Sequence, residues 1–119
     1  MQKNFFNFSE TSTPYFIADI AANHDGSIER AKELVWLAKE AGADCAKFQH
    51  FTSAGIINGL GFKTLESIKT HQSDWQKPVA EVYDQYHFRR EWTSEIANEC
   101  RKANIDFSST PYDQNAIDL

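Results

Sequence analysis

The chain has 119 residues, of which 41% are hydrophobic and 24% are charged, and its formal net charge is −5. This length allows one domain at most, and the composition is ordinary for a soluble globular protein. The negative charge argues against nucleic acid as a partner, because binding to backbone phosphates needs a basic surface.

The sequence contains no segment of the targeting or membrane type. Nothing approaches the roughly 20 apolar residues of a membrane span, and residues 1–7 lack the apolar run of a signal peptide. We therefore expect a cytoplasmic protein without a membrane partner. In that compartment Cys45 and Cys100 are expected to be small buried side chains and not a disulfide.

The first predicted element is a strand over residues 15–20, which is entered through Pro14. Its β-branched and aromatic residues favour a strand, and its near-continuous hydrophobicity predicts burial on both faces. Turn residues follow this strand, and either Asp25 or Ser27 is expected to cap the next helix.

That helix is predicted over residues 28–41, where apolar side chains recur at helical spacing and Gly42 follows as a stop. A second strand is predicted over residues 45–50. Strand, helix and strand in this order predict a βαβ unit, with parallel strands and a right-handed crossover.

A long excursion is predicted between residues 51 and 90. Three glycines between residues 55 and 61 indicate an irregular loop, and residues 65–69 and 79–83 have the pattern of short helices. Long loops in compact domains are usually functional, so we place this excursion at the rim of a binding site.

The last part of the chain repeats the helix-then-strand order. A helix is predicted over residues 91–103, with Asn104 ending it, and a third strand over residues 105–109. A loop over residues 110–113 follows, and the final residues begin a further helix. This order predicts an α/β fold without an internal domain boundary.

Polar residues cluster where the predicted strands end. Ligands of α/β sheets and barrels bind at the carboxyl ends of parallel strands. Lys47 and Gln49 are two residues apart on one strand, so their side chains point to the same face. The candidates expected to converge with them follow the other two strands: Asp19, Asn23, His24, Asp25, Ser109 and Thr110.

This set of side chains suits an anionic ligand. Lys47 offers a cation to phosphate or carboxylate, and a lysine in a buried strand is also a candidate for Schiff-base chemistry. The spacing does not separate these two roles. Because an unpaired buried charge is costly, we interpret Lys47 as functional.

Other residues have more ordinary interpretations. Asp19 is also compatible with a structural acceptor, and His24 with a turn residue that makes caps. His50, His71 and His87 show no spacing typical of metal ligands, so we interpret them as surface or structural residues. The indole rings of Trp75 and Trp92 are expected to pack and not to bind ligand.

Three segments in this order resemble one family. FIADIAANHDGS at residues 16–27, AKEAGADCAKFQ at residues 38–49 and FSSTPYD at residues 107–113 are similar to motifs of the sialic acid synthases, including the legionaminic and pseudaminic acid synthases. The resemblance covers most of the chain and is weakest over residues 51–76.

The resemblance implies the N-terminal portion of a (β/α)₈ TIM barrel, comprising about three βα units. It also implies an enzyme, a transferase of carbohydrate biosynthesis. This enzyme condenses phosphoenolpyruvate with an N-acetylated hexosamine such as N-acetylmannosamine and forms a nonulosonic acid and phosphate. The family further implies a divalent metal, Mn²⁺ or Mg²⁺, and a homodimer of the full-length protein.

Site roles follow from the resemblance at matching positions. Lys47 and Thr110 match residues that hold phosphoenolpyruvate, and Gln49 lies beside them. Asp19 stands where many members have Glu, and its expected role is catalytic, in proton transfer near the sugar or water. Asn23 and His24 match a motif that organises the mouth of the barrel and contributes to binding. No metal ligand is expected in this chain, because the family's metal-binding histidines come from later strands.

Length is the main departure from the family. A barrel needs about 250 residues, and we expect the later strands and the C-terminal antifreeze-like domain to be absent from this chain. The 119 residues alone are therefore expected to be inactive, and unstable or self-associating, because sheet edges would be unpaired. Two alternatives stay open: a non-catalytic barrel remnant that serves as an interaction module, and a Schiff-base aldolase that uses Lys47.

Overall fold

Three parallel strands form one sheet in the order β1–β2–β3. The structure is a computed structural model that describes residues 13–64 and 71–119. The strands are β1, Ile17–Ala21; β2, Cys45–His50; and β3, Asp106–Pro111. The parallel pairing of β1 with β2 confirms the predicted βαβ unit.

Six helices accompany the strands in the described part of the chain. Their bounds are α1, Ile28–Glu40; α2, Ser53–Ile56; α3, Gly59–Thr64; α4, Val79–Tyr86; α5, Thr93–Ala103; and α6, Gln114–Ile117, with a 3₁₀ turn over Arg90–Trp92. The helix predicted from residue 91 therefore starts with this turn. No helix among these residues has the length and apolar character that a membrane crossing requires.

Helices α1 and α5 cover one face of the sheet. Each helix buries three small or medium side chains against β2, which contributes Ala46 and Phe48. These residues are Ala31, Val35 and Ala38 of α1 and Ile96, Cys100 and Ala103 of α5. Close helix–sheet contact follows from these small residues, and the opposite face of β2 is left for Lys47 and Gln49.

Both cysteines are buried thiols without a disulfide, as predicted. Burial raises the pKa of Cys45 and raises that of Cys100 to about 12. Both side chains therefore pack as neutral apolar groups at ordinary pH.

The ends of α1 and α5 confirm the capping residues expected from the sequence. Ser27, and not Asp25, caps α1, since its hydroxyl accepts a hydrogen bond from the Arg30 N–H at 3.2 Å. Beyond α1, Gly42 has φ +88°. Asn104 ends α5 in the left-handed conformation, with φ 55° and ψ 49°. These conformations favour glycine and asparagine, respectively.

Strand β1 differs from its prediction. It begins at Ile17, two residues later than expected, and Phe16 and Ile17 are 61% and 49% exposed. Burial on both faces was therefore wrong for this strand. The physical reason is its position at the edge of the described sheet, where β2 pairs with one side only. Strand β3 extends two residues beyond its prediction, because Thr110 and Pro111 continue the register with β2.

The excursion after β2 is more helical than predicted. Its glycines do not make an irregular loop, because Gly55 lies in α2 and Gly59 and Gly61 lie in α3. The helix predicted at residues 79–83 is present as α4. The helix predicted at residues 65–69 lies outside the described residues.

The loop between β1 and α1 packs against the end of α4. Gly26 has φ +75°, and a β-carbon on it would lie 2.7 Å from the Gln85 carbonyl oxygen. His24 of the same loop lies edge-on to the rings of Phe88 and Trp92, with centroid distances of 5.7 and 5.8 Å. The loop after β1 and the end of the excursion are thus one packed unit.

Substitution of Gly26 tests this packing. We expect Gly26→Ala to lower the free energy of unfolding by more than the ~1–2 kcal/mol of left-handed strain, because the methyl group also meets a backbone carbonyl. Gly42→Ala is the matched control, since Gly42 has φ +88° but no atom within 4 Å of its β-carbon site. Equal losses in urea denaturation of the native gene product would contradict the contact.

Candidate functional site

An ion pair joins β1 to β2 on the face opposite the helices. Lys47 Nζ lies 3.6 Å from Asp19 Oδ2, and the two side chains are 32% and 55% exposed. The parallel register sets these residues side by side. The premise that Lys47 is an unpaired buried charge was therefore wrong: it is a half-buried lysine with a carboxylate partner.

The register also places the two predicted polar neighbours on this face. Gln49 follows Lys47 by two residues and lies opposite Thr110 of β3, and Ser108 of β3 lies opposite Lys47. Alternation along each strand puts all four side chains on the face of the ion pair. We call Asp19, Lys47, Gln49 and Thr110 the inner-face group.

The inner-face group combines one cation and one anion with the neutral polar side chains of Gln49 and Thr110, which are half-buried. A partly exposed ion pair contributes about 0–1 kcal/mol. Lys47 can therefore leave Asp19 for a phosphate or carboxylate at little cost, and Asp19 is then free to accept a proton. The hydroxyl of Thr110 and the amide of Gln49 can donate hydrogen bonds to the same anion.

Asn23 and His24 do not join this group. Asn23 Nδ2 donates to the Ile20 carbonyl at 2.9 Å, and the Asn23 carbonyl accepts from Arg30 Nε at 2.8 Å. His24 is fully buried, and its Nδ1 accepts from the Gly26 N–H at 3.1 Å. Both residues therefore hold the conformation of the loop that follows β1, with His24 buried and Asn23 exposed.

The neutral ring of His24 carries its proton on Nε2, because Nδ1 accepts a hydrogen bond. Within the described residues Nε2 has no hydrogen-bond partner. Burial lowers the pKa of His24, and the nearby Asp25 opposes this effect. His24 therefore behaves as part of the aromatic packing with Phe88 and Trp92.

Ser109 was expected to converge with Thr110, and this expectation was wrong. Its side chain points to the helix side, where its hydroxyl contacts Nδ1 of His50. The cause is strand alternation, which turns successive residues to opposite faces. His50 is 2% exposed and its Nε2 lies 2.7 Å from Thr93 Oγ1, so it is structural, as predicted.

The other aromatic and histidine side chains lie around the excursion. Trp92 packs on His24 and Phe88, as predicted, and Trp75 remains partly exposed near Tyr83. His71 is exposed beside Trp75. His87 is half-buried and contacts the Asp84 carbonyl at 2.6 Å.

The described residues do not fit a metal ion by themselves. No group of three or more histidine, cysteine, aspartate or glutamate side chains comes together in residues 13–64 and 71–119. The inner-face group offers one carboxylate and one amide oxygen, fewer ligands than Mn²⁺ or Mg²⁺ takes. The metal therefore enters no step that we derive from these residues.

The two buried histidines predict a pH dependence. Burial lowers the pKa of His24 and of His50, and Arg90 lowers the latter further against the opposing charge of Asp113. The unfolded rings then bind protons more readily than the folded ones. The free energy of unfolding should fall as pH drops below about 6.5, by at most ~1.4 kcal/mol per pH unit for each ring.

Titration of ring resonances by nuclear magnetic resonance on the native gene product checks this prediction. Both rings should remain neutral to a lower pH than histidine in an unstructured peptide. Midpoints at or above the peptide value would contradict the burial of these rings.

Comparison with known proteins gives a family match over most of the chain. The model of the NeuB family matches residues 34–119. An N,N'-diacetyllegionaminic acid synthase of Legionella pneumophila is 33% identical over 115 residues, covering 90% of this chain and 30% of the relative. An N-acetylneuraminate-9-phosphate synthase of Drosophila melanogaster is 30% identical, covering 88% of this chain and 27% of the relative.

A third relative is a pseudaminic acid synthase of Campylobacter jejuni, which is 31% identical, with 95% of this chain and 32% of the relative covered. The chain thus spans about a third or less of the length of these relatives.

Solved structures have the same fold over the matched part. An N-acetylneuraminic acid synthetase of Leptospira borgpetersenii, in complex with citrate, matches with a TM-score of 0.64 at 21% identity, covering 87% of this chain and 31% of that one. The spore coat polysaccharide biosynthesis protein SpsE of Bacillus subtilis gives 0.61 at 27% identity, with 92% and 27% covered. The family model matches well over half of the residues of this chain, so the chain belongs to the NeuB family.

Proposed function

We propose that the protein containing this chain condenses phosphoenolpyruvate with the open-chain aldehyde of an N-acetylated hexosamine, such as N-acetylmannosamine. The products are a nonulosonic acid and inorganic phosphate. The observation that carries this proposal is the Lys47–Asp19 pair on the inner face, with Gln49 and Thr110 beside it, in a chain of the NeuB family.

Each inner-face side chain has a role in this reaction. Lys47 provides the positive charge that holds the phosphate or carboxylate of phosphoenolpyruvate, and Thr110 donates a hydrogen bond to the same anion. Gln49 lies between them and orients the bound enol. The ion pair with Asp19 opens when the anion arrives, because a partly exposed pair at 3.6 Å is weak.

The chemistry balances without an imine. C3 of the enol bonds to the aldehyde carbon, which leaves a positive charge at C2, and the aldehyde oxygen takes a proton from solvent. Water then adds at C2 and gives one proton to Asp19, which returns it to solvent. The tetrahedral intermediate becomes a keto group as it loses its C2 hydroxyl proton and expels phosphate by cleavage of the C–O bond. Asp19 is freed for this role by the departure of Lys47 toward the anion.

We further propose that β1, β2 and β3 begin a (β/α)₈ barrel in the whole protein. The support is a parallel sheet with α1 and α5 on one face and polar side chains on the other. In such a barrel, residues at the carboxyl ends of the strands line the active site. Metal ligands and the pairing of subunits in a homodimer belong to other parts of the protein.

Substitution of Lys47 tests the anion-binding role. Lys47→Met keeps most of the side-chain volume and removes the charge, so we expect KM for phosphoenolpyruvate to rise roughly 10- to 100-fold, as for loss of a charged hydrogen bond. The assay is hexosamine-dependent phosphate release by the native gene product. Lys32→Met is the matched control, because Lys32 of α1 is 31% exposed and is likewise paired with a carboxylate, that of Glu95. An unchanged KM in Lys47→Met would contradict the proposal.

Substitution of Asp19 separates catalysis from binding. We expect Asp19→Asn to lower kcat by about 10²–10⁴, the usual contribution of a positioned base, with a smaller effect on KM. Asp19→Glu should retain more activity, because it restores a carboxylate. A fully active Asp19→Asn would refute proton transfer by this residue.

Trapping with borohydride distinguishes the aldolase alternative. A synthase that works through the enol forms no imine, so borohydride with pyruvate should leave the mass of the protein unchanged. A pyruvate adduct on Lys47 would instead establish Schiff-base chemistry. A native gene product that is folded but does not consume phosphoenolpyruvate with any N-acetylated hexosamine would favour the non-catalytic remnant.

A further inference from the structure

The ring of His50 joins three elements on the helix side of the sheet. It belongs to the last residue of β2, its Nε2 lies 2.7 Å from Thr93 Oγ1 at the start of α5, and its Nδ1 contacts Ser109 Oγ of β3. The ring is 2% exposed, and Thr93 and Ser109 are half-buried. We call His50, Thr93 and Ser109 the histidine bracket.

The bracket lies directly behind two residues of the inner-face group. His50 follows Gln49, and Ser109 precedes Thr110, which pairs with Gln49 in the parallel register. The backbone closes the same junction, since the Tyr112 N–H donates to the His50 carbonyl at 3.1 Å. Because adjacent strand residues share a peptide unit, fixing His50 and Ser109 fixes the backbone that carries Gln49 and Thr110.

The chemistry of the bracket fits a neutral imidazole better than an apolar core residue. A neutral ring has one N–H donor and one acceptor nitrogen, and each hydroxyl can take either part. An apolar side chain of the same size would leave the half-buried hydroxyls of Thr93 and Ser109 without this partner.

The charged groups around the ring are paired with each other. Arg90 comes from the 3₁₀ turn and Asp113 from the cap of α6, and their side chains form an ion pair. The Ala116 N–H and Arg90 hold the pKa of Asp113 below its usual range. The ring therefore meets a compensated pair of charges and stays a neutral hydrogen-bonding group.

We propose that His50 is a positioning residue for phosphoenolpyruvate. Through Ser109 it holds Thr110 and Gln49 at the spacing that the bound anion requires, and through Thr93 it ties that junction to α5. This inference rests on the function proposed above and adds to it a residue on the opposite face of β2 that never touches substrate.

Variants of His50 separate the effects of its two hydrogen bonds, to Ser109 and to Thr93. The side-chain amide of Asn reaches about as far as Nδ1, and that of Gln about as far as Nε2, so His50→Asn keeps the bond to Ser109 and His50→Gln keeps the bond to Thr93. We expect His50→Phe and His50→Gln to raise KM for phosphoenolpyruvate on the order of tenfold, because both variants lose the hydrogen bond to Ser109. His50→Asn should raise it clearly less, with kcat changed little in all three.

Two further variants of the native gene product complete the design. Ser109→Ala should raise KM as His50→Phe does, and the double variant should add nothing further, because both changes remove the contact between His50 and Ser109. Trp36→Phe removes a different tether of α5, the 2.9 Å bond from Trp36 Nε1 to Glu99 Oε1. It should lower Tm while leaving KM unchanged.

The outcomes distinguish the two proposals. Wild-type protein that consumes phosphoenolpyruvate, with the same KM in His50→Phe, His50→Gln and Ser109→Ala, would overturn the positioning role and leave the proposed function intact. So would KM changes that track Tm, with Trp36→Phe affected alike. Folded wild-type protein that consumes no phosphoenolpyruvate would refute the proposed function, and the positioning role with it.

Discussion

The parallel register of β2 between its two neighbours is the constraint on which the rest of the structure depends. It pairs Lys47 with Asp19 on one side and Gln49 with Thr110 on the other. Alternation then divides the strand, since Phe48 enters the core with α1 and α5 while Lys47 stays on the polar face. A slip of one residue would exchange these faces and bury the lysine.

Placement of the site depends on packing that lies outside it. The loop after β1 carries the backbone from Asp19 into the core, where His24 packs between Phe88 and Trp92. Gly26 allows a close approach of this loop to α4 at Gln85. The excursion is therefore anchored beside the carboxyl end of β1, and the inner-face group lies on strands that tertiary contacts hold from behind.

Regular elements were predictable because their signals are local. The pattern of apolar residues in α1, the cap at Ser27 and the stop at Asn104 each act within a few residues. The exposure of β1 was not predictable, because it depends on which strands pair with it. The helical glycines of α2 and α3 were missed although a local signal was present, because Thr52 and Asn58 accept capping hydrogen bonds from the Gly55 and Gly61 N–H groups.

The inner-face group followed from alternation and from the rule that parallel strands place ligands at their carboxyl ends. The ion pair between Lys47 and Asp19 could not be predicted in this way, because the distance between the two residues depends on the register between two strands. The same alternation, applied to Ser109, would have turned it away from Thr110 and toward His50. His50 and Ser109 therefore lie diagonally across the paired strands on the helix side of the sheet.

The central claim is that the protein condenses phosphoenolpyruvate with an N-acetylated hexosamine and breaks the C–O bond to phosphate. The fate of the bridging oxygen of phosphoenolpyruvate tests this claim most directly. Phosphoenolpyruvate labelled with ¹⁸O at the C–O–P bridge is given to the native gene product together with N-acetylmannosamine or a diacetamido hexosamine, and the released phosphate is analysed by mass spectrometry. The account predicts hexosamine-dependent release of phosphate that carries the label, because the C–O bond breaks. Unlabelled phosphate, or no release with any N-acetylated hexosamine, would contradict it.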